Sequence, residues 1–353
     1  MRLARSGQTR GVASWVRVKA PVRVLDAGGW TDTWFASHGY VCHLAVEPGA
    51  EVVAKLVPQG PEAKRRVSLQ VPAYGDSYEF SLEALPGRHP LLEAALRRWA
   101  PASASLEVSV SSAVPAGSSL GTSASVAVAL VAALRALDGS LEGPAELARA
   151  AHDIETTELG RQSGVQDQVA AAFGGASLVS VSPYPHFEVE PLQLAPSTIS
   201  ALQERVVTAY LGAFHDSSAV HETVIGHLEG DSTSAERLLG PMREAAKTAA
   251  KALSAGDMEA YGKAMAANTD AQADLHPSLV NPLAREVISA AAGAGALGWK
   301  VNGAGGPGGT VTLLGPEGPE EMAKMVEQLK AIAGVEILGL QPAAAGARVV
   351  ASQ

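Results

Sequence analysis

Residues 115–125, Pro-Ala-Gly-Ser-Ser-Leu-Gly-Thr-Ser-Ala-Ser, run straight into the apolar stretch Val126–Leu134. Glycine and serine let backbone N–H groups come close to a ligand. The first N–H groups of a following helix have no intrahelical partner and lie at the positive end of its dipole. The segment therefore predicts an anion cradle of the kind that takes nucleotide phosphates. It is not a Walker A loop, because no Gly-Lys-Ser/Thr follows. Taken singly, the other candidate groups have plain structural readings. Asp167 reads as a solvated or capping carboxylate, Arg23 as a strand residue or ion-pair partner, Glu155 as a solvent-facing helix residue and Ser123 as a first-turn cap. His215, Asp216 and His221 are close in sequence, yet their spacing matches no familiar metal-ligand pattern.

The elements that must position these groups are partly visible. A strand-like pattern starts at Trp15 and passes Val16, Val18, Val22 and Val24 to a turn at Gly28-Gly29; two further strands follow at Tyr40–Val46 and Glu51–Val57. Alternation from Ser105 to Ser111 leads into Pro115, which places the cradle in a strand-loop-helix unit. A helix over 144–159 has Pro144 in its first turn and breaks at Gly160–Gly164. Closely spaced prolines from Ser182-Pro183 to Pro196 are expected to interrupt any regular element, and a domain boundary is placed near residue 200. Beyond it the pattern predicts a strand over 205–211 and helices over 235–253, 257–272 (capped by Asp257) and 282–295. A second glycine loop, Gly303–Gly309, precedes a strand at Thr310–Leu314, a helix at Pro319–Ile332 and a closing strand near Val335–Leu340. No internal repeat is evident.

A chain of 353 residues with 47% hydrophobic content can bury two medium cores. Its formal net charge of −9 argues against nucleic acid or an anionic membrane as partner and leaves small molecules. The single cysteine, Cys42, excludes an intramolecular disulfide and a cysteine-cluster metal site, which fits a reducing, cytoplasmic setting. The basic N-terminus lacks an apolar run behind it, so residues 1–12 are expected to form a loose arm and not a secretory signal. The longest apolar run, Ala124–Leu134, is far short of the roughly 20 residues a membrane span needs. Nothing in the sequence fixes an oligomeric state.

Four segments acquire meaning together: Ala20-Pro-Val-Arg-Val-Leu-Asp-Ala-Gly-Gly-Trp-Thr-Asp-Thr, the loop at 115–125, Gly164-Val-Gln-Asp-Gln-Val-Ala-Ala-Ala-Phe-Gly-Gly, and Gly303–Gly309. Their order and content resemble the GHMP kinase superfamily (galactokinase, homoserine kinase, mevalonate kinase and phosphomevalonate kinase) from about Val16 to about Leu314. The resemblance implies an α+β, two-domain fold: a ribosomal-protein-S5-like domain over 13–199 that binds ATP, and a ferredoxin-like domain over 200–353. It implies ATP and Mg2+ as cofactors. Pro115, Gly117, Ser118, Ser119, Leu120, Gly121, Thr122 and Ser123 would hold the nucleotide. Asp167 falls on the carboxylate that orients, or deprotonates, the acceptor hydroxyl, and Arg23 on the basic residue beside it. Ser123 and Glu155 fall on the magnesium ligands.

Asp32 falls on a sugar-hydroxyl acceptor, with Gly29, Trp30, Asp216, Gly305 and Gly306 as further substrate-side positions. The Glu-His pair of the galactokinase signature is replaced by Gly29-Trp30, which puts galactose in doubt. Ala27-Gly-Gly-Trp-Thr-Asp-Thr looks closest to L-fucose kinases, and Gly-Val-Gln-Asp-Gln and Asp216-Ser-Ser-Ala-Val-His221 also resemble heptose 7-phosphate kinases. The implied reaction is phosphorylation of the anomeric C1 hydroxyl of a free, L-fucose-like aldose. A D-glycero-D-manno-heptose 7-phosphate kinase is the alternative, although the matched segments supply no basic cluster for a second phosphate. A catalytically silent nucleotide-binding protein is a third reading; the joint presence of Arg23, Ser123, Glu155 and Asp167 speaks against it.

Overall fold

The computed structural model describes residues 13–58, 65–102, 105–140, 142–212, 224–226 and 232–353. The expected arm at 1–12 and the candidate Asp216, with His215 and His221, lie outside the described residues. Strands β1 (Trp15–Ala27), β2 (Gly39–Val57), β3 (Arg66–Val71), β4 (Asp76–Ser81) and β5 (Ser105–Ser112) are interrupted by helix α1 (Pro90–Trp99). After the small-residue loop come α2 (Thr122–Leu137), α3 (Pro144–Asp153), α4 (Gln166–Phe173), β6 (Ala176–Val181), β7 (Phe187–Pro191), α5 (Pro196–Arg205) and β8 (Val206–Tyr210). The remainder comprises α6 (Ser232–Ala255), α7 (Met258–Leu275), α8 (Pro282–Gly293), β9 (Gly298–Val301), β10 (Thr310–Leu314), α9 (Pro319–Lys330) and the short strands β11 (Glu336–Leu338), β12 (Gln341–Pro342) and β13 (Arg348–Ser352).

One sheet runs β13-β1-β2-β5-β3-β4, with β12 and β6 also on β2 and β7 on β6; the second runs β11-β8-β10-β9. Strands β12 and β13, from the end of the chain, thus join the first sheet. The β2 segment is one strand where the sequence predicts two. Pro48 donates no N–H, but the ladder with β1 is already interrupted there by a register shift between Ala20 and Val22, so no bond is lost. The prolines after Ser182 also fail to exclude regular structure. Pro191 ends β7 and Pro196 opens α5, and at such positions a missing N–H costs nothing.

The first half of β1 alternates buried and exposed residues; the second half, Ala20–Ala27, is buried throughout. Helices α1 to α4 cover one face of the sheet, while Ala246, Ala249, Leu253, Tyr261 and Met265 of α6 and α7 pack on Val22, Leu25, Ala27 and Leu44 on the other. That double cover places Arg23 and Asp26 in the interior. Helix α2 is the central strut: Leu130, Leu134 and Leu137 have no exposed surface, so truncating any one to alanine should cost about 2–5 kcal/mol. Helices α8 and α9 bury Val287, Ala291, Met325 and Leu329 on the second sheet. Among the described residues no helix is long and apolar enough to cross a membrane.

Candidate active site

The loop between β5 and α2 is fixed by its carbonyls. Leu120 O accepts the Arg23 N–H (3.0 Å), and Ser118 O accepts the Thr310 hydroxyl (2.8 Å) from the second sheet. Leu120 is itself a core side chain, and Pro115 closes a turn on the Ser118 N–H (3.3 Å). Gly117, Ser119 and Gly121 have φ of 74°, 59° and 72°. At Gly121 glycine is required twice over: the left-handed conformation disfavours a side chain, and a Cβ would stand 3.0 Å from the Asp167 carboxylate. The Ser118 Oγ and Thr122 Oγ1 atoms are buried and have no hydrogen-bond partner among the described residues. A loop whose carbonyls are occupied while two of its buried hydroxyls are not is suited to an anion with several acceptor oxygens.

Asp167, in the first turn of α4, meets Arg23 across the floor of a cleft of ≈ 700 Å³. Arg23 Nε donates to Asp167 Oδ1 at 2.9 Å, and its Nη1 donates to Ser119 O. The guanidinium is 3% exposed; burial works against its charge, but Asp167, Asp26 and Asp32 outweigh it and raise its pKa. Burial lifts the Asp167 carboxyl above the ordinary carboxylate range, with Arg23 pulling the other way. Asp167 still keeps 29% of its side-chain surface open.

Asp32 also borders the cleft, and its Oδ2 accepts the N–H groups of Val165 (2.9 Å) and Gln166 (3.0 Å). It thereby caps the helix that carries Asp167. Burial pushes its pKa up to about 6, against the lowering effect of those two N–H bonds. Gly164 must be glycine at this turn, because a Cβ would come within 2.2 Å of Asp32 Oδ2.

Glu155 does not lie in an ordinary helix. The helix expected over 144–159 gives way after Asp153 to a wider turn over Ile154–Glu158, where the Leu159 N–H reaches Ile154 O at 3.2 Å and the Thr156 hydroxyl takes His152 O at 2.9 Å. This turns the Glu155 carboxylate inward. Its Oε1 accepts Ser123 Oγ (3.0 Å), and its Oε2 accepts Ser163 Oγ (3.2 Å) and Gln168 Nε2. Burial raises its pKa, partly offset by the two serine hydroxyls. Glu155 is 5% exposed and makes no close ion pair among the described residues; Arg161 stabilises its charge only from a distance, which leaves the carboxylate available to a cation. An oxygen pair of this kind fits Mg2+, which takes few protein ligands and keeps waters and phosphates. No group of three or more His, Cys, Asp or Glu able to hold a metal occurs among the described residues.

Residues 90–175, which span the cradle, Glu155 and Asp167, match the family model described as GHMP kinases N terminal domain. That stretch of the chain is similar to the GHMP kinases. The chain is 26% identical over 204 residues to the D-glycero-alpha-D-manno-heptose 7-phosphate kinase of Campylobacter jejuni, covering 58% of this chain and 60% of that protein. It is 26% identical over 338 residues to the bifunctional fucokinase/GDP-fucose pyrophosphorylase of Arabidopsis thaliana, covering 88% of this chain and 31% of that protein. The match thus spans less than two thirds of each curated relative's length. The crystal structure of a D-glycero-D-manno-heptose 1-phosphate kinase from Bacteroides thetaiotaomicron superposes with a TM-score of 0.73 at 21% identity, over 95% of this chain and 99% of that one. The fold is shared.

In this structure Arg23, Trp30, Asp32, Gly117 to Ser123, Glu155 and Asp167 all border one cleft. Pro115, Gly29, Gly305 and Gly306 do not. The Gly29 N–H bonds Asp26 O (3.1 Å), and a Cβ there would stand 3.0 Å from Asp26 Oδ2. Gly305 packs on Leu279 O, and the Gly306 N–H bonds that same carbonyl at 3.0 Å; Gly303 and Ala304 line the cleft instead. Trp30 combines both of its readings, since it is 4% exposed among Leu239, Met242, Leu275 and Leu279 yet reaches the cleft.

Two parts of the site escape a motif-based reading. One is the wall formed by Val71, Tyr74, Leu91 and Leu92, whose apolar surface could take a flat ring and whose residues are scattered between β3 and α1. The other is Arg161, which follows the Glu155 turn, lines the cleft and has no side-chain hydrogen bond or ion pair among the described residues.

Proposed function

We propose that the chain is an ATP- and magnesium-dependent kinase that transfers the γ-phosphoryl group to the anomeric C1 hydroxyl of a free aldose of L-fucose type. One observation carries the reading: a phosphate-suited loop and an arginine-held carboxylate share a single cleft, with an oxygen pair for a cation between them. The wall at Val71, Tyr74, Leu91 and Leu92 would take the adenine, and residues 117–123 the triphosphate. Magnesium at Ser123 and Glu155 would neutralise charge on the β- and γ-phosphates. Asp167 Oδ1 is held by Arg23, which leaves Oδ2, beside Gly121, to accept the hydroxyl proton. The sugar oxygen then bonds to the γ-phosphorus, the bond from that phosphorus to the β-bridging oxygen breaks, and ADP leaves. Arg23 offsets charge on the moving phosphoryl group. Asp32 and Trp30 would bound the sugar. In domain terms, residues 13–199 would hold the nucleotide and residues 200–353 would complete the acceptor side.

Arg161 favours a second reading, in which the acceptor already carries a phosphate, as a heptose 7-phosphate does. Among the described residues Arg161 makes no side-chain hydrogen bond or close ion pair and feels only the Glu155 charge from a distance, whereas the other lining arginines, Arg23 and Arg88, are paired to Asp167 and Asp76; its guanidinium is a ready phosphate partner. The test is ATP consumption over a panel of free aldoses and aldose phosphates, with the phosphorylated carbon identified by NMR. C1 phosphorylation of a free aldose supports the first reading. Turnover of aldose phosphates alone, with Arg161→Ala raising their KM about 10- to 100-fold, supports the second. Tight ATP binding with no acceptor turned over would leave the silent nucleotide-binding module.

A further inference from the structure

Behind the Arg23–Asp167 pair lies a second buried ion pair that no step of the proposed chemistry uses. Lys300, on β9, and Asp26, on β1, are both fully buried, and Lys300 Nζ lies 3.5 Å from Asp26 Oδ1. Each strand is otherwise apolar at this point, Val24-Leu25-Asp26-Ala27 and Trp299-Lys300-Val301, so neither charge is there for solubility. The ammonium also donates to Gln272 Oε1 at 3.0 Å and to Val301 O. Both carboxamide and carboxylate then act on one residue, on the two peptide groups that flank its Cα. Asp26 Oδ2 accepts the Gly303 N–H at 2.9 Å, and Gln272 Nε2 donates to Gly303 O at 3.2 Å. Gly303 packs against the phosphate loop so closely that a Cβ would stand 3.0 Å from Ser119 O and 3.1 Å from Arg23 Nη2. The same Asp26 Oδ2 lies 3.9 Å from Arg23 Nη2. Charges therefore alternate in one line: Lys300, Asp26, Arg23, Asp167.

We propose that Lys300 is a positioning residue for phosphoryl transfer, acting through Asp26 to hold Arg23 on Asp167 and to clamp the Gly303 peptide against the phosphate loop. With its ammonium present, Asp26 is shared and Arg23 can turn its Nε to Asp167. Without it, Asp26 becomes a buried carboxylate whose nearest cation is Arg23, and the guanidinium is drawn from Asp167 toward Asp26. The inference rests on the kinase reading for its kinetic consequence, but its geometric content can be measured without any reaction.

The experiment is a double-mutant cycle with Lys300→Met, Asp26→Asn and the pair combined. Kinetics are taken on the acceptor identified by the panel, and the Arg23 Nε–H resonance is followed by 15N-edited NMR. Lys300→Met should lower kcat by about 100-fold with KM for ATP little changed, and the Arg23 Nε–H signal should lose its hydrogen-bonded shift. Adding Asp26→Asn removes the competing carboxylate while keeping an oxygen for the Gly303 N–H. The double variant should recover both the resonance and most of kcat. Unchanged kcat and resonance in Lys300→Met, or losses that simply accumulate in the double variant, would overturn the proposal. If Lys300→Met does not fold, a double variant that folds and shows the Arg23 signal supports it, and one that also fails to fold overturns it. If the wild-type chain phosphorylates no acceptor, the kinase reading falls, while the NMR cycle still decides whether Lys300 sets Arg23.

Discussion

In the loop that runs from Pro115 into α2, the Ser118 and Thr122 hydroxyls are buried and take no partner among the described residues, while the carbonyls of Ser118, Ser119 and Leu120 are all engaged. The loop from Gly303 to Gly309 is richer in glycine, five of seven residues against two of eleven, yet its polar groups are spent on the protein itself. The Gly303 N–H and O go to Asp26 and Gln272, the Gly306 N–H goes to Leu279 O, and the Gly306 O accepts Asn281 Nδ2 at 2.7 Å. Glycine content alone cannot distinguish a ligand cradle from a bracket. What separates them is where the hydrogen bonds end: a cradle keeps donors in reserve, and a bracket closes its own circuit. The first loop should therefore matter to ATP binding and turnover, and the second, beyond the Gly303 residue clamped against the first, to stability.

The largest test bears on the group that the cradle faces. Asp167→Asn removes the proton acceptor but keeps an oxygen for Arg23, so kcat should fall about 1000-fold while ATP affinity measured by calorimetry stays near wild type. Near-normal turnover would remove Asp167 from the chemistry. Next in size is the cost of the cradle side to the fold. The Asp32 carboxyl is raised from 3.8 to about 6, mainly by burial, so the folded state binds its proton more tightly than the unfolded chain does. Stability from this group is full below pH 3.8 and is lost as pH rises through the window up to about 6, a loss on the order of 3 kcal/mol at neutral pH. Asp32→Asn should abolish that slope. Denaturant unfolding at about pH 3 and about pH 7 measures it, and equal slopes in both proteins would contradict the assignment.

How much of this was readable in advance follows from how local each feature is. The cradle is contiguous, and its strand, small residues and apolar helix lie within one stretch of chain, so it is legible without a fold. Arg23 and Asp167 are far apart in sequence, and only the motif resemblance brings them together. Asp26 and Lys300 carried a signal of a different kind: a charge inside an apolar strand must find a partner once both faces are covered. That partner belongs to the other sheet, and no periodicity points there. The apolar wall is invisible for the same reason, since Tyr74 and Leu91 are joined only by the closing of β3 and α1 over the cleft. In the fold, prolines misled at β7 and β2 because their positions, a strand end and a bulge, tolerate a lost N–H.

A sharper test puts the same change into both loops. At Gly121 and Gly305 φ is 72° and 75°, so alanine is strained at either site by about 1–2 kcal/mol. The neighbours differ. An alanine at 121 meets the Asp167 carboxylate, whereas one at 305 would stand 2.3 Å from Leu279 O. Gly305→Ala should therefore be the less stable protein, by about 2 kcal/mol or more against wild type, and keep its KM for ATP while folded. Gly121→Ala should lose kcat at temperatures where it is fully folded. The reverse assignment of losses would break the contrast between the loops.

The smallest expected effects are the most discriminating, because each changes a single polar side chain. Ser118→Ala deletes a buried hydroxyl that has no partner, so stability should hold or rise slightly. KM for ATP should rise about 5- to 10-fold if a phosphate oxygen is the missing partner. Asn281→Ala does the opposite. Its Oδ1 caps α8 by accepting the Ala284 N–H at 2.9 Å and its Nδ2 holds Gly306 O, so its loss should cost about 1–2 kcal/mol of stability and leave KM for ATP unchanged. Chemical denaturation paired with steady-state kinetics on both variants reads the two quantities independently. A Ser118→Ala protein that loses stability with KM unmoved would mean that this hydroxyl serves the fold, and the reserve of donors that marks the first loop as a phosphate cradle would lose its strongest member.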